Sequence, residues 1–491
     1  MDFNLIKFMK TINNWINNKL IPSIHGLVID KYNPHLGSIM CKVTSSKDED
    51  VNIAVNAAEA AFNEWSNLTP IKRGQLLMTL VDIMKQSRQV LADCVAIETG
   101  KPIKDALGEV NGAIMQGEYF ASEGMRLHGR TLTSNMPGKQ SFTVRQPHGI
   151  AALIVPANTP IANIAWKVFP ALICGNTVVL KASEDAPETA ILFAQFAKDA
   201  GIADGVLNVI QGTGLEAGSA LVKHPKVSVI SFTGSTEVGR WIATTAGKRL
   251  ARISLELGGK NSFVVCTDAD LEHAVHWAAL SAFSNAGQRC AAASRIIVFE
   301  DIYNEFTTRL IEKAKKLQLG VHETADLGPV ISEKQLQRIT KFVDTAIQNG
   351  ARVLCGGSIP NNKNLKGYYY TPTLIDNVKS NDDISCKELF GPVATIHSVK
   401  NLQEAIIFAN DTEYGLTAAI HTKNIDLAMT FAKKIRSGVA NINLGTFGSE
   451  PHMPFGGFGS SGNGTREPGL EALDVYSELK NISYLVSESI N

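Results

Sequence analysis

The residue placed to act as a nucleophile is Cys290, in Asn285-Ala286-Gly287-Gln288-Arg289-Cys290-Ala291-Ala292-Ala293, just after a helix predicted over Leu271–Ser284. Thiolate is the reactive form of cysteine, but most cysteines are small core hydrophobes, so local context leaves both readings open. Glu256 lies in Leu255-Glu256-Leu257-Gly258-Gly259-Lys260, an acid enclosed by apolar residues and glycines. Such surroundings raise a carboxyl pKa, which suits a general base; the plainer reading is an acid that hydrogen-bonds the glycine amides. The 11 histidines are scattered, none sits in H-E-x-x-H, and their spacing assembles neither a zinc site nor a Ser-His-Asp arrangement.

Two glycine-rich turns follow predicted strands. Gly212-Thr213-Gly214-Leu215-Glu216-Ala217-Gly218 misses G-x-G-x-x-G by one residue and reads equally well as a tight turn. Gly234-Ser235-Thr236-Glu237-Val238-Gly239 opens a helix, so its N–H groups and the Ser235 hydroxyl can meet a pyrophosphate. Arg240-Trp241 after it excludes a Walker-type loop and favours a dinucleotide over a nucleoside triphosphate. Glu184, in Lys181-Ala182-Ser183-Glu184, closes a strand where a carboxylate can accept from both hydroxyls of an adenosine ribose and repel a 2′-phosphate; a solvated loop acid is the equal alternative.

The elements that position these residues alternate. Ile150–Val155 is a continuous apolar run stopped by Pro156, as in a strand buried on both faces. Thr177–Leu180, Val206–Ile210, Val227–Phe232 and the weaker Ile253–Leu257 follow, separated by helices over Ala162–Cys174, Pro187–Ala200, Leu215–Lys223 and Thr236–Ala246. This pattern predicts a doubly wound, mainly parallel sheet with its ligand at the carboxyl ends of the strands. A second α/β unit runs through strands Ser262–Cys266 and Arg295–Phe299 and amphipathic helices near Ile302–Leu317 and Ser332–Asn349, the last opened by a capping box, Ser332-Glu333-Lys334-Gln335. Upstream, Ser46-Lys47-Asp48-Glu49 also has the capping-box pattern, and helical spacing of Val51, Val55, Ala58, Phe62 and Trp65 makes the first hundred residues read as mostly helical. Thr131–Arg145, turning at Pro137-Gly138, predicts an extended hairpin, and Ile482–Val486 a further strand, both with edges that seek a partner chain.

The 491 residues suffice for about three domain-sized units. Lys+Arg and Asp+Glu each total 47, so no charge excess attracts nucleic acid or an anionic membrane. Seven dispersed cysteines without a C-x-x-C pair read as reduced thiols in a cytoplasmic compartment. Met1–Lys7 lacks the apolar run of a signal peptide, and no segment approaches the ~18 apolar residues of a membrane span.

Seven motifs occur in order: Pro156-Ala157-Asn158-Thr159-Pro160, Gly175-Asn176-Thr177-Val178-Val179-Leu180-Lys181, Phe232-Thr233-Gly234-Ser235-Thr236-Glu237-Val238-Gly239, Leu255-Glu256-Leu257-Gly258-Gly259-Lys260, Gly287-Gln288-Arg289-Cys290, Glu388-Leu389-Phe390-Gly391-Pro392 and Pro454-Phe455-Gly456-Gly457. Together, over nearly the whole chain, they resemble the NAD(P)-dependent aldehyde dehydrogenase superfamily; the separation 290 − 256 = 34 fits as well. The resemblance implies a Rossmann-like doubly wound cofactor domain (1–128 and 148–257), a second α/β catalytic domain (258–460) and a small β oligomerisation element (129–147 and 475–491). It implies Cys290 as nucleophile, the Asn158 side chain with the Cys290 N–H holding the oxyanion, and Glu256 activating the water that hydrolyses a thioester. Lys167, in Ala165-Trp166-Lys167, and Glu467 match positions that relay the Glu256 proton to solvent, although Thr465 looks inserted beside Glu467. Lys181 and Glu184 would bind the adenosine ribose, Gly234 and Ser235 the pyrophosphate, and Glu388 with Phe390 the nicotinamide riboside of NAD, with NADP the less favoured cofactor.

Three departures bear on the substrate, a small-molecule aldehyde. Ala157 replaces the commoner Trp, residues 443–454 read as a polar rather than aromatic lining, and Arg289 precedes the nucleophile, where a structural salt bridge is favoured over contact with a substrate carboxylate. These point to a polar aldehyde or semialdehyde, handled by a homodimer or homotetramer. The alternatives are a coenzyme A-acylating enzyme, which needs no hydrolytic base, and a non-catalytic binding protein on the same fold.

Overall fold

The computed structural model describes residues 11–486. Met1–Lys7, read above for a leader, and residues 487–491 of the 475–491 segment lie outside them. The run around Ile150–Ile154 is the third strand of a seven-stranded sheet ordered Arg252–Glu256, Val227–Thr233, Ile150–Ile154, Thr177–Lys181, Leu207–Ile210, Asn14–Ile16, Lys19–Ile21. The first five strands are parallel, and the last two pairings are antiparallel. Because successive side chains point to opposite faces, the alternation Ala151, Leu153 against Ile150, Ala152, Ile154 feeds two separate cores. The first is covered by helices Pro70–Gln86, Ile103–Ser122, Pro160–Ile173 and Pro187–Asp199, the second by Asp48–Asn67 and Thr236–Gly247. Both faces are dry, which is why these strands lack an alternating pattern.

The chain order reverses between Ile150–Ile154 and Val227–Thr233, making a topological switch point there. Asn158, Glu184, Gly234, Ser235 and Glu256 lie at or just beyond the carboxyl ends of this sheet.

The second sheet has the order Arg352–Cys355, Thr373–Asp376, Val393–Val399, Ala293–Phe299, Asn261–Val265, Thr417–His421, Val439–Ile442. It is parallel except for its first pair. Two of these strands are read from sequence; the other five are supplied by the fold, because short apolar runs carry no distinguishing period. Helices Glu300–Lys316 and Glu333–Gln348 form where predicted.

Several readings are corrected. The first hundred residues are not mostly helical up to Thr44: Thr11–Ile12, Val28–Tyr32 and Ile39–Thr44 form a separate three-stranded sheet, and Asn14–Ile16 and Lys19–Ile21 extend the cofactor-side sheet. The capping box at Ser46–Glu49 is displaced by one residue. Lys47 caps the helix and its N–H donates to Asp50 Oδ2 (3.0 Å), while the Ser46 hydroxyl is committed to Asn14 Oδ1 (2.9 Å). At Ser332 only half the box forms, since Gln335 Nε2 turns away to donate to the carbonyls of Leu389 and Phe390, each at 2.8 Å. The helix expected over Leu215–Lys223 begins as a wide turn, Gly214–Gly218, and becomes α-helical only at Ser219–Lys223. The hairpin and the C-terminal strand share one sheet: Ser477–Leu485 pairs antiparallel with Lys139–Pro147 along its whole length, with Thr131–Leu132 on the other side, so each outer strand keeps an open edge.

Candidate active site

Helix Leu271–Phe283 ends in a sharp reversal, with Asn285 and Ala286 at φ 55° and 53° and Gly287 at 68°. Glycine is required at 287 by contact as well as by φ, since a Cβ there would lie 2.0 Å from the Gly391 carbonyl oxygen. The reversal delivers Cys290 to the amino end of strand Ala293–Phe299, opposite the carboxyl edge of the first sheet. Asn261 pins it: Nδ2 donates to the Cys290 carbonyl (2.7 Å) and the Ala292 carbonyl (2.9 Å), while Oδ1 accepts from Thr417 N (3.0 Å). Thr446 Oγ1 donates to the Ala291 carbonyl at 2.6 Å.

Burial pushes the Cys290 thiol up to about 12, helped by the nearby Glu388 and Glu256 charges and opposed by the Ala291 amide and Arg289. The resting group is therefore a thiol, and attack requires its proton to leave.

Glu256 is the last residue of its strand, buried, and neither carboxylate oxygen has a hydrogen-bond partner. The plainer reading, an acid bonded to the glycine amides, is thereby excluded. Burial first, then the charge of Glu467, raises its carboxyl well above the usual range, against the opposing pull of Lys167 and Arg466. Behind it, Lys167 Nζ contacts Glu467 Oε2 (2.7 Å) and Ser231 Oγ (2.7 Å), and Glu467 Oε1 accepts from Ser231, Ser254 and Tyr476 hydroxyls. Thr465 does not displace Glu467 from this network; its hydroxyl bonds Ser254 Oγ (2.9 Å) and Asn463 Oδ1 (2.8 Å).

Asn158 Nδ2 donates to the Gln288 carbonyl (3.0 Å), leaving its second N–H free, and its Oδ1 is buried without a partner. Across the crevice, Lys181 Nζ lies 2.8 Å from Glu184 Oε2. Burial alone would raise the Glu184 carboxyl, but Lys181 and the Glu184 and Gly214 amides outweigh it and hold it below the usual range. Both glycine turns thus reach the same edge. Ser235 caps the helix Thr236–Gly247, accepting from Val238 N at 3.4 Å. Glu388 Oε1 accepts from Gly259 N (3.1 Å), and burial raises its carboxyl to about 7. Phe390, at φ 60°, is held by its carbonyl on Gln335.

Two expectations about the substrate side change. No carboxylate among the described residues lies within salt-bridge distance of Arg289. Its guanidinium stacks 4.8 Å over the Phe447 ring, and its Nε has no partner. Glu109 is committed to Lys101 and to helix N–H groups, and Asp105 acts on Arg289 through space without forming a salt bridge to it. The lining is polar only at its outer part. Glu450 and His452 are exposed and face each other at 4.0 Å, whereas Phe447 and Phe455 cluster with Trp166 around Cys290. Asn261, Asn285, Gln288 and Gly456 escaped sequence reading; their signal lay inside or beside the motifs, where polar residues and glycines look like ordinary loop.

The fold and site define an α/β protein with a cysteine thiol and a buried, unpaired carboxylate at the edge of a dinucleotide-type sheet. The chain matches the aldehyde dehydrogenase family over residues 22–482. Retinaldehyde dehydrogenase 3 of Mus musculus is 41% identical, covering 98% of this chain and 94% of its own length. Alpha-ketoglutaric semialdehyde dehydrogenase of Bacillus subtilis (strain 168) is 38% identical over 98% and 99%. Among solved structures, betaine aldehyde dehydrogenase from Staphylococcus aureus in complex with NAD+ superposes with a TM-score of 0.94 at 34% identity over 96% and 94%. PnpE in complex with nicotinamide adenine dinucleotide superposes with 0.95 at 37% over 98% and 99%. This chain belongs to the aldehyde dehydrogenase family.

Proposed function

We propose that the chain is an NAD-dependent, hydrolytic aldehyde dehydrogenase acting on a polar aldehyde or semialdehyde. The observation that carries this reading is Glu256, a buried carboxylate with both oxygens unpaired in the same site as the Cys290 thiol. An unpartnered buried acid is costly, and here it is placed to take a proton.

The donor set fits NAD. Lys181 and Glu184 offer a cation and an acceptor carboxylate for the ribose, Gly234 and Ser235 bring a helix N-terminus for the pyrophosphate, and Glu388 with Phe390 borders Cys290 for the nicotinamide riboside. Bound NAD supplies the hydride acceptor. On the protein side, the Cys290 proton leaves through water, and the sulfur bonds to the aldehyde carbon. The resulting oxyanion is held by the free Asn158 N–H and the Cys290 N–H. After oxidation the acyl group is a Cys290 thioester. Glu256 then draws a proton from water, whose oxygen attacks the thioester and releases the acid and the Cys290 thiolate. Lys167 and Glu467 carry the Glu256 proton toward solvent.

Arg289 supports a semialdehyde: a guanidinium without a carboxylate partner beside the site suits a substrate that brings one. The relative named for a semialdehyde agrees with this. The exposed Phe142, Leu479, Tyr484 and Leu485 on the sheet of residues 131–147 and 477–485 support a homodimer or homotetramer built on that element, with 1–128 and 148–257 as cofactor domain and 258–460 as catalytic domain. Seven free cysteines, and no helix among the described residues long and apolar enough to cross a membrane, support a cytoplasmic setting.

The test is Glu256→Gln. It is expected to give a burst of NADH and then stall as acyl-enzyme, seen by intact mass. Turnover that strictly requires coenzyme A, or silence with a broad aldehyde panel while Cys290 is reduced, overturns the reading.

A further inference from the structure

Lys101 and Glu109 form a buried ion pair, their side chains 4% and 5% exposed, on a loop and a helix that contribute nothing else to the chemistry described above. A buried pair between ordinary packed helices is weak evidence for stability alone, so its other contacts matter. Glu109 Oε1 accepts from Ile161 N (2.9 Å) and Ala162 N (3.3 Å), the first two free N–H groups of helix Pro160–Ile173, since Pro160 has none. Thr159, at the N-cap position, makes no side-chain cap, because its hydroxyl accepts from Asn163 Nδ2 at 2.8 Å. Glu109 therefore caps that helix from outside. Lys101 Nζ bonds Glu109 Oε2 and donates at 2.8 Å to the backbone carbonyl of Asn158.

The same carbonyl accepts from Asn285 Nδ2 (3.1 Å), which also reaches the Gln288 carbonyl (3.2 Å), itself the acceptor for Asn158 Nδ2 (3.0 Å). The peptide that carries Asn158 is thus gripped on its oxygen by Lys101 and Asn285, and the helix that follows is gripped by Glu109. Gln288 is two residues from Cys290, so the network sets the Asn158 amide against the nucleophile's loop.

We propose that Lys101 and Glu109 are positioning residues that fix the Asn158 amide where the oxyanion forms. The inference rests on the reading of Asn158 as an oxyanion donor. The ammonium does not touch the substrate; it acts by holding a carbonyl, and through it a side-chain N–H. A displacement of about 1 Å in such a donor costs on the order of 100-fold in rate.

The experiment is a double-mutant cycle read by the pre-steady-state NADH burst rate. Lys101→Met is expected to slow the burst ~10- to 100-fold with KM for NAD unchanged. In the Asn158→Ala background the same change is expected to cost less than about threefold, because the group it positions is gone. Lys101→Met combined with Glu109→Gln leaves no lone buried charge, keeps the protein folded, and is expected to show the slowed burst. A folded double variant with the parental burst rate overturns the inference. So does an equal loss in both Asn158 backgrounds, which leaves the oxyanion reading standing and makes the pair merely structural. An Asn158→Ala burst at the parental rate overturns that reading and the inference with it.

Discussion

Gly456→Ala tests the role of Glu256 without altering its chemistry. A Cβ built on Gly456 lies 2.6 Å from Glu256 Oε1, 2.8 Å from the Thr465 carbonyl oxygen and 3.0 Å from Arg466 Cδ. The first contact is about 1 Å inside the ~3.5 Å optimum for non-bonded atoms. The second is to backbone and cannot be relieved by a rotamer. At φ 151° the residue occupies a region that costs a side chain about 1–3 kcal/mol. The carboxylate, with no hydrogen bonds to resist, is the group that moves. A shift of about 1 Å in the group that activates water should slow thioester hydrolysis on the order of 100-fold. Stopped-flow NADH absorbance checks this: the burst should keep its rate and amplitude while the slow phase falls, reproducing Glu256→Gln. A slow phase at the parental rate in folded Gly456→Ala protein, or loss of the burst itself, refutes the reasoning.

Three further outcomes follow from the site. With burial, Glu388 and Glu256 raising the Cys290 thiol from 9.0 to about 12, thiolate is the minority form at neutral pH; iodoacetamide alkylation of the cofactor-free protein should keep rising with pH beyond 9.0, and a plateau there would count against it. Glu184→Ala should raise KM for NAD ~10- to 100-fold, the range for one charge-assisted hydrogen bond, and affect NADP less; initial rates with both cofactors decide it. Arg289→Met should lower kcat/KM for a carboxylate-bearing semialdehyde ~10- to 100-fold and spare an uncharged aldehyde of equal length, and equal losses on both would contradict the anchoring role.

The central parallel strands and the two motifs bearing Glu256 and Cys290 were legible in the sequence. Continuous apolar runs such as Ile150–Ile154 and glycine-flanked polar residues such as Glu256 are local signals, carried by composition and spacing over a few positions. Strands Thr11–Ile12 and Asn14–Ile16 were not, because two or three residues have no period to read and pair only with segments distant in sequence. The partners of Arg289 were open as well. Whether an arginine meets a carboxylate depends on what that carboxylate already holds, and Glu109 is occupied by Lys101 and by a helix terminus more than fifty residues away.

By itself, then, the sequence determined which residue types stand in reach of chemistry and the sheet that would present them. Tertiary structure alone decided the state of those groups. The Glu256 carboxyl is raised above its usual range because packing left it buried with neither oxygen hydrogen-bonded. Cys290 rests as a thiol because burial and two carboxylates disfavour its charge. The Asn158 peptide is held because two side chains from separate segments, Lys101 and Asn285, donate to its carbonyl while Glu109 caps the helix that follows. Solvation and electrostatic coupling act through space, and no spacing along the chain encodes them.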